Sequence, residues 1–259
     1  MSQTAAKHQP IKKKAEVSLP MQIFGVIGEI LITIGILIGL FIVWQLWWTG
    51  IEANQTRAVA VAEFGTAPET EKVATPQEGP PPEWTGPTET PEVMGLIKIP
   101  RFGADYVFPI RAGTQNIGVL NTGSYGWYQM SQKPGELGNF ALAAHRMTYG
   151  DPLIDVEELQ NGDQIVIETE EAFLVYKITD HKIVMPEDGW VILPDPFEAE
   201  KAHLQGKAYE QGEINTRYIT LTTCHPKYGS SHRWIVHGEF EYWTKRSDGI
   251  PPALAGQQG

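Results

Sequence analysis

Three residues in the C-terminal part of the chain have the types and positions that thiol chemistry requires. Cys224 ends the run YITLTTC, and a proline two residues later stops further strand pairing. His145 ends the run NFALAAH, and Arg233 opens the run RWIVHGEF nine residues after Cys224. A cysteine nucleophile, a histidine that moves protons and a cation that stabilises an oxyanion are the parts that acyl transfer through a thioester needs.

Each of these residues also has an ordinary interpretation. A single cysteine is often a small apolar core residue. Strand alternation weakens that interpretation, because Ile219 and Leu221 share a face with Thr223 and leave Cys224 on the other face. A hairpin after Cys224 would bring Arg233 back toward it. The three residues alone leave an enzyme and a binding module both open.

The elements that must position these residues are short strands. Residues 92–244 contain at least six runs of β-branched or aromatic residues, each bounded by Gly, Pro, Asp or Asn. Helical pattern is scarce there, with one short helix or turn expected around Leu153, Val156 and Leu159. We therefore expect a mainly β domain, a closed barrel or a sandwich.

A membrane helix is predicted near the N-terminus. Residues 30–48 are 19 uncharged, strongly apolar residues, enough to cross the hydrocarbon core as a helix. The run is longer than that of a removable signal peptide and ends in tryptophans, so we predict a transmembrane helix over 23–48. Four lysines precede this helix: Lys7, Lys12, Lys13 and Lys14. Few basic residues follow it directly. The positive-inside rule then predicts that residues 1–22 are cytoplasmic and that the rest of the chain is extracellular.

Two further segments look non-globular. Residues 49–91 are rich in Pro, Glu and Thr and poor in large apolar residues, which predicts a disordered extracellular linker. Trp84 is the exception among these residues. The segment shows no obvious lid for the site around Cys224, although Trp84 could dock there. Residues 245–259 are expected to be a loose tail.

Composition narrows the function classes. The net charge of −11 disfavours a nucleic-acid surface, and one cysteine excludes an internal disulfide or a cysteine-rich zinc site. His225, His232 and His237 lie near Cys224, but their spacing matches no zinc pattern. We expect no metal and no other cofactor.

Two strings carry a family resemblance. LAAHRMTYGDP around His145 and TLTTCHPKYGSSHRWIVHGEF around Cys224 and Arg233 resemble the signature regions of sortases, specifically those of class E. The resemblance covers about residues 92–242. It implies a closed eight-stranded β-barrel preceded by one transmembrane helix and a linker, with the catalytic domain over 92–244. Ala144 departs from the glycine that commonly precedes the histidine in this family.

The resemblance also implies roles. Cys224 would be the nucleophile, His145 the acid and base, and Arg233 the partner of the oxyanion or substrate carbonyl. Tyr149 and Thr223 would contact the substrate. The implied reaction is cleavage of an LAXTG- or LPXTG-type C-terminal sorting signal between Thr and Gly, with transfer of the protein to a peptidoglycan amine.

Other functions stay open on the sequence. One alternative is an anchored cysteine hydrolase or a pilin-polymerising sortase, and another is a surface binding module with an inert Cys224. The sequence assigns no role to Trp127 and Tyr128. It also leaves open the sorted proteins, the natural acceptor, the second residue of the signal and the oligomeric state.

Overall fold

A computed structural model describes residues 19–65 and 72–256, without the side chains of residues 45 and 46. The predicted cytoplasmic segment lies mostly outside these residues, as do residues 66–71 and the last three residues of the tail. The chain divides into two compact units, Met1–Leu46 and Trp47–Gly259.

The first unit contains most of a long apolar helix. Helix α1 runs from Leu19 to Phe64, and large apolar side chains between Leu19 and Val43 are exposed. Among the described residues it is the one helix whose length and composition allow it to cross a membrane. It extends 16 residues beyond the predicted end at residue 48, because the sequence after Trp48 is rich in alanine and other good helix formers.

The second unit is built around a closed eight-stranded barrel, as expected. The strands are hydrogen-bonded in the order β1-β2-β3-β4-β7-β8-β6-β5, and β5 pairs back with β1. Most neighbours are antiparallel, but the β2/β3 and β4/β7 pairs are parallel. The strand bounds are Val93–Lys98 (β1), Val107–Ala112 (β2), Tyr125–Trp127 (β3), Gly138–Ala143 (β4), Gln164–Glu168 (β5), Ala172–Val184 (β6), Arg217–His225 (β7) and His232–Lys245 (β8).

Apolar side chains from every strand fill the barrel. Ile219 and Leu221 of β7 are fully buried in this core, together with Leu142 of β4 and Val236 of β8. Leu153 and Val156 also join the core, around a short 3₁₀ turn where the sequence predicts one. The strands that carry the candidate catalytic residues are therefore fixed by packing along their length.

One helix of the barrel domain was not predicted. Helix α2 runs from Pro196 to Leu204, and Asp195 caps it by accepting hydrogen bonds from the backbone N–H groups of Phe197 and Glu198. Its hydrophobic face is short, so periodicity does not reveal it. The remaining helix, α3, is one turn at Pro252–Ala255.

The expectation of a disordered linker over 49–91 is corrected for the described residues. Residues 49–64 continue α1, and the segment from 72 onward lies along the barrel. Gln77 exchanges backbone hydrogen bonds with Trp243 of β8, and Trp84 packs against the core. Prolines pre-set an extended backbone and reduce the entropy lost on ordering, so a few anchors are enough to hold the segment.

The expectation of a loose tail over 245–259 is corrected in the same way. Ile250 pairs with Val73, and the backbone N–H of Ala253 donates to the hydroxyl of Tyr242. Ala253 and Leu254 pack against a small apolar cluster on the barrel. The tail is ordered to residue 256 because it covers this apolar surface.

Candidate active site

Cys224 and Arg233 face each other across a strand pair. Strands β7 and β8 are antiparallel, and their register pairs Cys224 directly with Arg233. Cys224 is partly exposed, whereas the three preceding residues of β7 are buried. The strand therefore holds the thiol rigidly at the point where the chain reaches the surface.

His145 is brought to the same place by a parallel strand pair. Ala143 of β4 pairs with Thr222 of β7, so the same register continued by two residues sets His145 beside Cys224. The hydroxyl of Thr223 donates to the carbonyl of Ala144 at 2.8 Å, which ties the two strand ends together. By strand register, the backbone positions of all three sequence-predicted catalytic residues lie at the same end of β4, β7 and β8.

Two neighbours hold the imidazole of His145. Its Nε2 lies 2.9 Å from Oδ1 of Asn121, and its ring stacks on Tyr149 with centroids 5.2 Å apart. If Nε2–H donates to the Asn121 carbonyl, Nδ1 is the ring nitrogen that can exchange a proton with a reacting group. Burial lowers the pKa of His145, since the charged imidazolium is poorly solvated there.

The guanidinium of Arg233 is anchored by backbone carbonyls at the start of β8 and in the loop before it. Its Nη1 donates to the backbone carbonyls of Ser230 and His232, each at 2.9 Å. An arginine has five N–H donors, so these two contacts leave donors that can reach a substrate oxygen.

A charged cluster joins the residues that follow His145 and Cys224. Arg146 is 1% exposed, its Nη1 donates to Nδ1 of His225 at 3.0 Å, and its Nη2 lies 2.6 Å from a carboxylate oxygen of Glu157. The ion pair lowers the pKa of Glu157 through its hydrogen bond to Arg146. Because Arg146 and His225 each adjoin a candidate catalytic residue, this cluster fixes the spacing of the two strand ends.

Trp127 and Tyr128, to which the sequence assigns no role, have structural positions. Trp127 is buried in the core, and its indole N–H donates to the carbonyl of Gln132 at 2.9 Å. The hydroxyl of Tyr128 lies 3.0 Å from that of Thr222, which shares a strand face with Cys224. Tyr128 therefore supports the strand just below the thiol.

The remaining predicted residues have different positions. Tyr149 lies against His145, as described, whereas the side chain of Thr223 is buried and engaged with Ala144. Trp84 packs on the core beside Met94 and Leu174, so it is not a lid over Cys224. Within residues 19–65 and 72–256, no group of three or more His, Cys, Asp or Glu side chains is arranged to hold a metal ion.

Sequence reasoning missed several contributors to the site. Asn121 lies in a short 3₁₀ turn whose sequence carries no recognisable pattern. Arg146 and Glu157 are charged residues that look like solvated surface in the sequence, although Arg146 is buried. The sequence contains one signal for this cluster: Arg146 and His225 directly follow the candidate catalytic residues His145 and Cys224.

The comparison with protein families decides the assignment. Residues 97–241, more than half of the chain, match the sortase domain family. The chain belongs to the sortase family. Sortases are cysteine transpeptidases, and the matched region contains the candidate triad of Cys224, His145 and Arg233.

Two curated relatives are class E sortases, which confirms the predicted resemblance. Sortase SrtE1 of Streptomyces coelicolor is 35% identical over 88% of this chain, and Sortase SrtE2 of the same organism is 32% identical over 89%. The chain spans 60% of the length of SrtE1 and 87% of that of SrtE2.

A solved sortase structure has the same fold. The crystal structure of Sortase E1 from Streptomyces coelicolor with a tripeptide in the active site is 34% identical, with a TM-score of 0.54. The match covers 63% of this chain and 96% of that structure. The apolar helix α1 lies before residues 97–241, the range matched to the sortase domain family, and it has the length and composition of a membrane span.

Proposed function

We propose that this sortase cleaves the C-terminal sorting signal of secreted proteins between Thr and Gly and transfers them to an amine of peptidoglycan. The signal is of the LAXTG or LPXTG type. The proposal is supported by the strand register, by which Cys224, His145 and Arg233 belong to the ends of three neighbouring strands. This arrangement supplies a nucleophile, a proton carrier and an oxyanion donor to one reacting carbonyl.

In the first half of the reaction, the thiol proton of Cys224 passes to His145 and the sulfur attacks the Thr carbonyl carbon. The C–S bond forms as the carbonyl oxygen becomes an oxyanion, which Arg233 stabilises together with backbone N–H groups near Thr223. The C–N bond to Gly then breaks, and the imidazolium of His145 gives its proton to the departing amine. The lowered pKa of His145 makes this proton easy to release.

In the second half, an amine attacks the thioacyl carbonyl. Neutral His145 takes a proton from the attacking nitrogen, the C–S bond breaks, and the thiolate of Cys224 leaves and recovers a proton. An amide replaces the thioester, so the protein is joined to its acceptor without ATP or another cofactor. If water replaces the amine, the same steps give hydrolysis.

We assign Tyr149 to recognition of the signal residue that precedes the variable position. Its ring lies against His145, so a substrate bound at Cys224 passes close to it. Thr223 contributes through its backbone, because its hydroxyl already donates to Ala144. A bulky aromatic wall at this position favours Ala over Pro in the signal by shape.

We also propose that the helix anchors the enzyme in the cell membrane as a single span, with the N-terminus in the cytoplasm and the barrel outside. The apolar composition of α1 and the lysines that precede it support this topology. The sorted proteins and the peptidoglycan precursor are then on the same side as Cys224.

The test uses the full-length protein in detergent micelles with an LAXTG peptide, an LPXTG peptide and a primary amine. Mass spectrometry of the products distinguishes the functions. Amine-linked peptide cut after Thr, more abundant for LAXTG, supports the proposal, and Cys224→Ala gives none. Hydrolysed peptide alone, at saturating amine, would favour the hydrolase. No cleavage of either peptide by folded protein would favour a binding module.

A further inference from the structure

The part of α1 that follows Trp48 presents a buried face to the barrel. Ala53 and Ala60 are 1% and 2% exposed, although Ala58 between them is exposed. The guanidinium of Arg57, one turn after Ala53, lies 4.3 Å from the ring centroid of Phe108 in β2. Positions 53, 57 and 60 lie on one helical face. We call Ala53, Asn54 and Arg57 the docking face.

The docking face contacts the loop that carries Asn121. Asn121 is in a 3₁₀ turn that ends at Gly123, where the backbone is left-handed with φ of 69°. A Cβ atom on Gly123 would lie only 3.1 Å from the carbonyl oxygen of Ala53. The helix backbone therefore packs directly on the turn that presents the hydrogen-bond acceptor of His145.

The docking face also contacts the loop that carries Tyr149. Thr148, Tyr149 and Asp151 all have positive φ values, a conformation that costs about 1–3 kcal/mol for each such residue. Such a loop persists only where its surroundings hold it. A Cβ atom on Gly150 would lie 3.1 Å from Oδ1 of Asn54, so the helix lies directly against this strained segment.

The two loops also touch each other beneath the helix. A Cβ atom on Gly123 would lie 3.2 Å from the carbonyl oxygen of Tyr149, about as far as from the carbonyl oxygen of Ala53. Three backbone segments therefore meet at one glycine. One of them carries the hydrogen-bond partner of His145 and another carries its stacking partner.

We propose that the docking face is a positioning element for the catalytic histidine. The two groups that hold the His145 ring lie on loops that both rest on the same turn of α1. If this turn moves away, Asn121 and Tyr149 lose a shared support and the imidazole loses its fixed orientation. The inference rests on the proposed function for the role of His145, but the contacts themselves do not depend on it.

The proposal predicts a specific kinetic signature. A disturbed docking face impairs proton transfer, so kcat falls by about 10–100-fold, the usual effect of a small misplacement of a catalytic group. The KM for the sorting peptide rises as well, because one of the two loops carries Tyr149, which we assign to signal recognition. The β7 and β8 strand ends stay in place, so the reactivity of Cys224 measured without a peptide isolates the effect on His145. A general loss of structure would instead lower the melting temperature strongly.

The experiment compares Ala53→Leu with Ala58→Leu in the full-length protein in detergent micelles. The two substitutions are chemically identical, but the first fills a buried contact and the second is exposed. Peptide transfer gives kcat and KM. The rate of alkylation of Cys224 by iodoacetamide is followed from pH 5 to pH 9. It measures the reactivity of the thiol and its dependence on His145, and it needs no peptide. Cys224 is the only cysteine of the chain, so this signal comes from the site alone.

The expected result is a lowered kcat for Ala53→Leu, with an alkylation profile displaced toward that of His145→Ala. Ala58→Leu should stay within about twofold of the unaltered protein, as surface substitutions usually do. Arg57→Ala removes the stacking on Phe108 without adding volume and should change the profile in the same direction, which covers the case in which Ala53→Leu does not fold.

Equal kcat values and equal alkylation profiles for Ala53→Leu and Ala58→Leu would overturn the proposal, as would an unchanged profile for folded Arg57→Ala. If the unaltered protein transfers neither peptide, the proposed function fails, but the alkylation profiles still test the positioning role. The two failures are therefore distinguishable.

Discussion

Cys224 and Arg233 are directly paired residues of two antiparallel strands, and their side chains share one face of the barrel. A directly opposite pair has a fixed separation that neither loop length nor loop motion changes. The guanidinium is held further by the carbonyls of Ser230 and His232. The guanidinium of Arg233, the proposed oxyanion donor, is therefore preorganised for a carbonyl bound at the thiol.

This relationship predicts the effect of Arg233→Lys. Lysine keeps the charge but lacks the planar fork, so it cannot hold the loop carbonyls and a substrate oxygen in the same geometry. We expect kcat to fall by about 10²–10³, the range for loss of one oxyanion donor. Steady-state peptide transfer measures it. Arg101→Lys is the control, because Arg101 forms an exposed ion pair with Asp163 away from the site. A loss in Arg233→Lys no larger than in the control would contradict the assigned role.

Glu157→Gln tests the cluster that joins the two strand ends. Arg146 is buried, so loss of its carboxylate partner leaves a poorly compensated charge. Glu157 is half exposed, and solvent screening limits the cost to about 1–3 kcal/mol of unfolding free energy. We expect a lower melting temperature together with slower transfer. Glu158→Gln changes the neighbouring exposed carboxylate and should leave both unchanged. The same behaviour in both variants would mean that the ion pair does not hold the site.

His237 makes the stability of the barrel sensitive to acid. Burial lowers the pKa of His237 to about 4. The hydroxyl of Thr220 donates to Oδ1 of Asn139, so it accepts from Nδ1–H of His237. The lowered pKa leaves Nε2 without a proton near neutral pH, so the ring is neutral there. Between about pH 6.5, the usual pKa of histidine, and pH 4, the unfolded chain binds a proton that the folded chain does not. The contribution of neutral His237 to the free energy of unfolding is therefore present in full above pH 6.5 and is lost as the pH falls toward 4.

Thermal unfolding at pH 7 and pH 5 checks this prediction. His237→Gln should lose less stability between the two values than the unaltered protein, since glutamine does not titrate. His203→Gln, at an exposed position, should behave like the unaltered protein. An acid-induced loss in His237→Gln as large as in the unaltered protein would show that other groups are responsible.

The proposed topology predicts which side of the membrane carries the thiol. In intact cells, a membrane-impermeant maleimide should label Cys224, because it is partly exposed and is proposed to lie outside. A double variant with Cys224→Ser and Ser2→Cys moves the only thiol to the N-terminus, where labelling should need cell lysis. Labelling of the N-terminal thiol in intact cells would reverse the proposed orientation.

The approach of Arg233 to Cys224 could be predicted from the sequence, because strand alternation and a short hairpin determine it. The register of β7 and β8 pairs the two residues. The parallel β4/β7 pair that brings in His145 joins residues about 80 positions apart, and no local pattern encodes such a pairing.

The errors in residues 49–91 and in the tail have one physical cause. Composition indicates too little apolar surface in residues 49–91 for an independent fold, but the barrel supplies the apolar surface on which Ala53 is buried and Trp84 is partly buried. The same holds for Ala253 and Leu254 in the tail, which pack against an apolar cluster of the barrel. Arg146 was missed for the opposite reason, since a charged residue is buried there only because Glu157 and His225 compensate it.

The central claim is that Cys224 carries the acyl group, and intact-protein mass spectrometry tests it most directly. The full-length protein is mixed with an LAXTG peptide without an amine acceptor and quenched in acid during turnover. The account predicts a mass increase equal to the peptide up to Thr, sensitive to hydroxylamine and absent in Cys224→Ala. It also predicts that His145→Ala accumulates little of this adduct, because the leaving amine lacks its proton donor. Cleavage of the peptide with no adduct on Cys224, or equal cleavage by Cys224→Ala, would contradict the account.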